Sequence, residues 1–362
     1  MRTVGVEEEL LLVDPDSGEP RALASAVLAR AAQDHPGQDV FEKELFGQML
    51  EFATHPQSDM ADLGEEIVRC RKEAARHAGE IGCGVAALAT SPLPVSPSLT
   101  VSERYRWLAE RFGIPTWEQL VCGCHVHVSV ESDEEGTAVL DRLRPWLPVL
   151  RAASANSPFW HGRDTGYAGY RSRVWNRWPS AGPTELFGTA ERYHRRVKDM
   201  VDTGVILDEA MAYFDARLSA RYPTVEIRVA DVCLGAETAV LVATLCRALV
   251  ETAAREWRAG LPAPDPGVSV LRLADWQAAR FGLEEDLLDP VTARPRPAAQ
   301  VLRSLLEHVG DALTDSGDAD RAERAVAELL RTGNGAREQR RLLEHTGSLR
   351  SVVTECVRRT QT

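Results

Sequence analysis

Three consecutive glutamates, Glu7-Glu8-Glu9, interrupt an otherwise apolar run from Thr3 to Val13. The run is rich in Val and Leu and reads as a strand, in which successive side chains point to opposite faces. Glu7 and Glu9 therefore share a face, and Glu8 points away. A carboxylate on an apolar strand is costly unless it is paired or holds a cation. Such a chain must fold so that compensating charge gathers around it.

Three more segments carry the same signature. Gln48–Ala53 is short and alternating, with Glu51 inside it. Cys122–Val130 alternates strictly and places His125 and His127 on one face. Thr224–Ala230 does the same for Glu226 and Arg228. Each segment alone reads most simply as a solvated edge strand or a cross-strand salt bridge. Together they predict one shared polar surface on a sheet. Oxygen-rich ligation with an imidazole points to a hard cation such as Mg²⁺ or Mn²⁺. Zinc is disfavoured at Cys122, Cys124, His125 and His127, because on a regular strand the two cysteines face one way and the two histidines the other. The same parity argues against a Cys124–His125 nucleophile pair.

The remaining pattern is mixed. Val85–Thr90 reads as a fifth strand, and helical spacing recurs over Leu63–Ile81, Thr137–Ala155, Thr189–Val201 and Glu237–Trp257. Pro145 and Pro148 should kink or interrupt the second of these. No Gly-rich phosphate loop follows a strand and no G-x-S-x-G elbow occurs, so a doubly wound nucleotide fold, a P-loop and an α/β-hydrolase are excluded. The expected class is α+β, with one face of the sheet polar. Leu261–Gly267, rich in Pro and Gly, is the best linker. Beyond it Ser269–Phe281, Pro297–Val309, Asp318–Arg331 and Ala336–His345 read as helices, and Pro290–Pro297 as a basic loop. The expected organisation is one catalytic domain over 1–362, with the sheet and core helices in 1–260 and a helical cap in 268–362.

Composition limits the partners. With 54 acidic against 42 basic residues the net charge is -12, which disfavours nucleic acid and anionic membrane. No signal-peptide core opens the chain, and the longest apolar stretch, Ala239–Cys246, is too short to span a bilayer. Seven scattered cysteines fit buried reduced thiols, so a cytoplasmic protein is expected. Against this acidic background, Asn156–Trp160 and Gly169–Pro179 interleave arginines and aromatics, including Arg171, Arg173 and Trp175. Arginine forks suit phosphate or carboxylate, although a surface loop with its tryptophans packed on the core explains the pattern equally well.

Val4-Gly-Val-Glu-Glu-Glu-Leu10, Leu50-Glu-Phe-Ala-Thr54, Gly123-Cys-His-Val-His-Val-Ser129, Tyr170-Arg-Ser-Arg-Val-Trp175 and Val225-Glu-Ile-Arg228, in this order, resemble the glutamate–cysteine ligase type 2, or carboxylate–amine ligase, family. Asp275–Leu283 fits the family's later region. The resemblance implies the catalytic fold of glutamine synthetase and the guanido kinases, an antiparallel β-sheet cradle backed by helices, and an ATP-dependent ligase. Such an enzyme would phosphorylate the side-chain carboxylate of an amino acid such as glutamate, and an amine such as cysteine would then displace the phosphate. By motif matching, Glu7, Glu9, Glu51, His125 and Glu226 would hold Mg²⁺ or Mn²⁺, with Glu44 a weaker addition. Arg228 and Arg173 would act on the transferring group, Glu226 serving catalysis as well as the metal. His127, Arg171, Arg173, Trp175 and Asn156 would touch substrate, and a homodimer is the implied assembly. A small-molecule kinase or a silent ATP- and metal-binding scaffold on the same fold are the rival readings.

Overall fold

The computed structural model describes residues 1–34 and 41–361. The expected strands form as β1 (Val4–Val13), β3 (Met49–Ala53), β4 (Gly84–Ala86), β5 (Gly123–Ser129) and β9 (Thr224–Asp231). Val85–Thr90 keeps only its first two residues in a strand, and Thr90 makes an isolated bridge to Val121. Two strands too short to read in advance, β2 (Glu42–Lys43) and β8 (Ala216–Leu218), complete a sheet in the order β2-β3-β1-β5-β9-β8, with β4 also on β1. All its pairings are antiparallel. β1 therefore lies in the interior of the sheet, which removes the solvated-edge reading of its glutamates. Two hairpins stand apart, β6 (Phe159–Trp160) with β7 (Arg163–Asp164) and β10 (Asp286–Leu288) with β11 (Pro295–Pro297). The second replaces part of the loop expected at Pro290–Pro297.

Helices stand where apolar spacing placed them: α2 (Met60–Gly79), α8 (Ala190–Asp202), α9 (Ala236–Arg258), α10 (Val268–Phe281), α11 (Ala298–His308), α13 (Ala319–Thr332) and α14 (Gly335–Thr346). Thr137–Ala155 is two helices, α5 (Asp133–Leu143) and α6 (Leu147–Ser154). Pro145 falls in the break, and Pro148 lies in the first turn of α6, where a missing N–H costs nothing. Short or strongly polar helices escaped periodicity: α1 (Ala24–Asp34), α3 (Glu103–Phe112), α4 (Ile114–Trp117), α7 (Arg171–Trp175), α12 (Gly310–Ser316) and α15 (Leu349–Thr360). None of the described helices is long and apolar enough to cross a membrane.

β1 and β5 pack on α9, whose residues from Ala239 to Val250 are all buried, and β9 packs on α5 and α6. Residues of the C-terminal helices, among them Ala278, Val301, Leu305 and Val353, belong to the same hydrophobic core as Leu10 and Val126. Thr360 reaches the sheet region directly, its hydroxyl accepting from the Ala87 N–H at 2.8 Å.

On this helix-covered face sits Glu8, fully buried. Arg71 of α2, equally buried, meets it through Nε at 2.7 Å and Nη2 at 2.8 Å. The same guanidinium donates to the carbonyls of Leu234 and Cys233, at 3.0 and 2.7 Å, in the turn between β9 and α9. One side chain thus joins β1, α2 and the entry to α9. Removing one partner strands the other charge in the core, at a cost of about 3–5 kcal/mol. Glu8→Gln and Arg71→Met should each lower stability by that amount in urea denaturation, and a loss under 1 kcal/mol would show that the pair does not organise the fold.

Candidate active site

The opposite face of the sheet collects the charged residues in rows set by strand register. Glu9 pairs with Glu51, which pairs with Glu42. Glu7 pairs with His125. His127 pairs with Glu226, which pairs with Arg217. All four charged strands found in the sequence therefore contribute to one surface. A bulge refines it: Cys124 pairs with Ala230 but Val126 with Ile227, so β9 holds one extra residue there. The shift brings Asp231 opposite Gly123 and onto the face of Glu226, where plain alternation would have turned it away.

At one pole lie Glu9, Glu44 and Glu51. Burial, followed by the charge of Glu44, raises Glu9 to about 7. The same two causes, with a hydrogen bond from Glu44, push Glu51 well above the usual carboxylate range. Glu44 itself stands just before β3 and accepts from the Leu45 N–H at 2.9 Å. Glu9 accepts from the Gly123 N–H.

The middle of the surface is balanced. Glu7 meets Nδ1 of His125 at 3.3 Å and Nε2 of His127 at 3.2 Å. Burial would raise Glu7, but hydrogen bonds from the two imidazoles hold it far below its ordinary value. His125 is lowered to about 4 by burial and by Arg228, so it stays neutral, and its buried Nε2 has no hydrogen-bond partner. His127 also holds Thr224 Oγ1 through Nδ1 at 3.0 Å. Ligand atoms of Glu7, His127 and Glu226 all lie within 4.8 Å of one another. His127, expected to touch substrate, thus stands in this cluster of possible ligand atoms, whereas His125, expected to hold the metal, does not.

The far pole is cationic. Glu226 is gripped by Arg217, with Nε at 2.6 Å and Nη2 at 3.2 Å, and by Arg228. Burial opposes its ionisation, yet Arg228 and Arg217 hold it far below the usual range. Arg217, which also donates to the Ala210 carbonyl at 2.8 Å, was not singled out from sequence; its alternation with Glu226 becomes visible only once β8 is known to pair with β9. Arg171 is buried beside Asp231 and makes no side-chain hydrogen bond among the described residues. Its guanidinium crosses so close to Gly123 that a Cβ there would overlap it, which explains a glycine in a strand. Arg171 and Arg228 lie over the Trp175 ring, at 5.7 and 5.6 Å from its centroid. The ring packs in turn on Tyr213 at 4.9 Å.

Two expected site residues lie elsewhere. Asn156 is fully buried, its amide donating to the carbonyls of Ala87 and Val232 and its oxygen accepting from Gln339. Its capacity is spent inside the core, so it does not reach the cradle. Arg173 follows Arg171 by two residues, half a turn of helix, and is held by Asp275, away from Arg171 and Trp175. The family motif gave both arginines to the substrate without a helix being assigned to Tyr170–Trp175; as helix α7 the stretch separates them.

Crowded carboxylates with raised affinity for protons and the neutral imidazole of His125, with its orphaned buried nitrogen, form a donor set that fits hard divalent cations. The adjacent arginine pair fits an anion. Carboxylates, cations and an anionic ligand would neutralise one another in such a cradle.

Residues 3–355 match the family described as glutamate–cysteine ligase family 2. A protein of Streptomyces avermitilis, provisionally named glutamate–cysteine ligase 2-1, is 74% identical over 361 residues, covering 100% of both chains. One of Streptomyces coelicolor with the provisional name glutamate–cysteine ligase 2 is 70% identical over 361 residues, covering 100% of this chain and 99% of that one. Among solved structures, the glutamate–cysteine ligase of Francisella tularensis, crystallised with AMP, superposes with a TM-score of 0.72 at 11% identity, covering 99% of this chain and 88% of that one. A bifunctional glutathione synthetase of Pasteurella multocida superposes equally well, at 16% identity over 99% of this chain and 52% of its own. These two likenesses show the sheet cradle backed by helices to be the glutamine synthetase and guanido kinase type of fold.

The acidic pole has a consequence for stability. Glu9 and Glu51 bind protons more tightly folded than unfolded, so their ionisation lowers stability as pH rises. His125, lowered when folded, acts with the opposite sign only up to the unfolded histidine value near 6.5. Glu7 and Glu226 change the balance only in acid. Between about pH 6.5 and 8 the metal-free protein should lose thermal stability, and magnesium chloride should raise Tm more at the upper pH. An equal gain at both values, followed by differential scanning fluorimetry, would contradict cation binding at this pole.

Proposed function

The chain belongs to glutamate–cysteine ligase family 2, and from that premise we propose how its cradle joins a carboxylate to an amine. It is an ATP-dependent ligase that forms a C–N bond. The finer reading is that the donor is the γ-carboxylate of glutamate, the acceptor an amine such as cysteine, and the cation Mg²⁺ or Mn²⁺. The observation that carries it is the juxtaposition of Arg171 and Arg228, sharing the Trp175 ring, with a wall of carboxylates too crowded to ionise together.

The chemistry explains why both poles are needed. A donor carboxylate oxygen attacks the γ-phosphorus of ATP, and the bond to the ADP oxygen breaks. The amine nitrogen then attacks the acyl carbon, loses a proton, and inorganic phosphate leaves with one former carboxylate oxygen. The first step brings an anion against a triphosphate, so like-charge repulsion dominates its barrier. Bound divalent cations would neutralise the phosphates; Glu7, Glu9, Glu51, His125, His127 and Glu226 would hold them, with Glu44 beside them. Arg228 and Arg171 would meet the charge on the transferring phosphoryl group and the donor. Arg217 and Arg228 keep Glu226 ionised and fixed in direction. Neutral His125 adds a ligand nitrogen without adding a proton that would compete with a cation.

The direct test is ADP release with Mg²⁺-ATP and glutamate against a panel of amines that includes cysteine, with products weighed by mass spectrometry. Amine-dependent release with a product lighter by one water than its two parts supports the reading. Phosphorylated product without an amide would move the protein to the kinase reading, and ATP binding without turnover to a silent scaffold. Glu226→Gln should abolish turnover in a protein that still folds, because a ligand is lost while β9 remains. Arg171→Ala should lower kcat/KM by about 100-fold or more, as expected for losing a charge-stabilising donor, and an unchanged value would remove Arg171 from the site.

A further inference from the structure

The anion-binding face of α7 is presented by a helix of only five residues, Arg171–Trp175, which has no intrinsic stability of its own. Something else must hold it. Both of its ends are fastened to α10, the first helix beyond the Pro-rich segment. The N–H groups of Ala168 and Gly169, just before α7, donate to the Ala279 carbonyl, each at 2.9 Å. At the other end Asp275 of α10, buried at 3% exposure, takes Nη2 of Arg173 and the Asn176 amide, the latter at 3.2 Å. Asp275 also pairs with Arg151 of α6. Arg151 reaches Asp215 at 3.2 Å, and the carbonyl of Asp215 accepts from the Arg228 N–H at 2.9 Å.

One carboxylate on α10 therefore fixes α7 through Arg173 and Asn176, and connects through Arg151 to the backbone of Arg228. Arg171 and Trp175, at i and i+4, face the cradle, while Arg173 faces α10. The Arg173 guanidinium is half-turned into the protein and donates only to Ser172 and Asp275 among the described residues. Burial of Arg151, Asp215 and Asp275 in this belt is tolerable only because each has an oppositely charged partner.

We propose that Asp275 is a positioning residue: acting through Arg173 and Asn176, it sets where α7 holds Arg171 and Trp175 against the anionic substrate. The C-terminal helical region is then part of the active site without touching the reactants. The inference rests on the ligase reading of the cradle, but its test separates the two.

Asp275→Asn keeps the size and removes the charge. It should raise KM for the carboxylate donor or for ATP by about 10-fold, and kcat should also fall, because a displaced charge group costs both binding and rate. Arg173→Met should do the same, and the double variant should be no worse than the poorer single one, since both act on one contact. Asp275→Glu, which restores the charge on a longer arm, should recover part of the loss. A merely structural role would lower Tm and the amount of folded enzyme while leaving KM unchanged, and additive losses in the double variant would likewise overturn the proposal. If Asp275→Asn does not fold, Arg173→Met against wild type carries the same KM comparison. If wild-type enzyme turns over no donor, the ligase reading fails by itself, and ATP affinity by titration calorimetry replaces KM: equal affinity in wild type and Asp275→Asn then contradicts the positioning role.

Discussion

An interior strand charged on both faces is the constraint around which this molecule is arranged. β1 cannot sit at the centre of a sheet with Glu8 against the helices unless an equally buried cation meets it, and Arg71 supplies that cation with four hydrogen bonds. The pair fixes β1 in register and in face. Slipping the register by one residue would turn Glu7 and Glu9 into the core and Glu8 into the cradle. The back-face ion pair thus decides which carboxylates the cradle presents.

On the cradle face, the same residues create a field with two signs. Glu9 and Glu51 hold protons more tightly than ordinary carboxylates because burial and Glu44 oppose their ionisation. Glu226, between Arg217 and Arg228, is held ionised. The contrast separates a pole that gains from cations and a pole that gains from anions, with the Glu7–His127 contact between them. A triphosphate and its cations present the complementary pattern. Held apart in this way, the two poles keep the crowded carboxylates partly frustrated.

Most of the cradle was legible in the sequence because strand parity is a local property. Glu7 with Glu9, His125 with His127 and Glu226 with Arg228 could be placed on shared faces from alternation alone, Glu51 stood out as a lone carboxylate in an apolar strand, and the ordered motifs carried the family and fold. What parity cannot supply is the identity of partners that approach through space. Arg71 looks like one more charged residue on an amphipathic helix, and Arg217 lies on a strand of three residues. Asp231 was hidden by the bulge in β9, which changes the face of every residue beyond it. Arg173 was misplaced for a related reason: a five-residue helix is too short to show its period, so two arginines at i and i+2 looked equivalent. Asn156 has the residue type of a substrate contact, but its neighbours in the core, Gln339 above all, come from the far end of the chain.

If the cradle works through an acyl phosphate, one oxygen of the donor carboxylate passes to phosphorus before the amide forms. Glutamate labelled with ¹⁸O in its γ-carboxylate, incubated with the enzyme, Mg²⁺-ATP and the accepted amine, tests this directly through the mass of the released inorganic phosphate. An acyl phosphate puts one ¹⁸O in each phosphate for each amide formed. Unlabelled phosphate alongside amide product would contradict an acyl phosphate in this cradle.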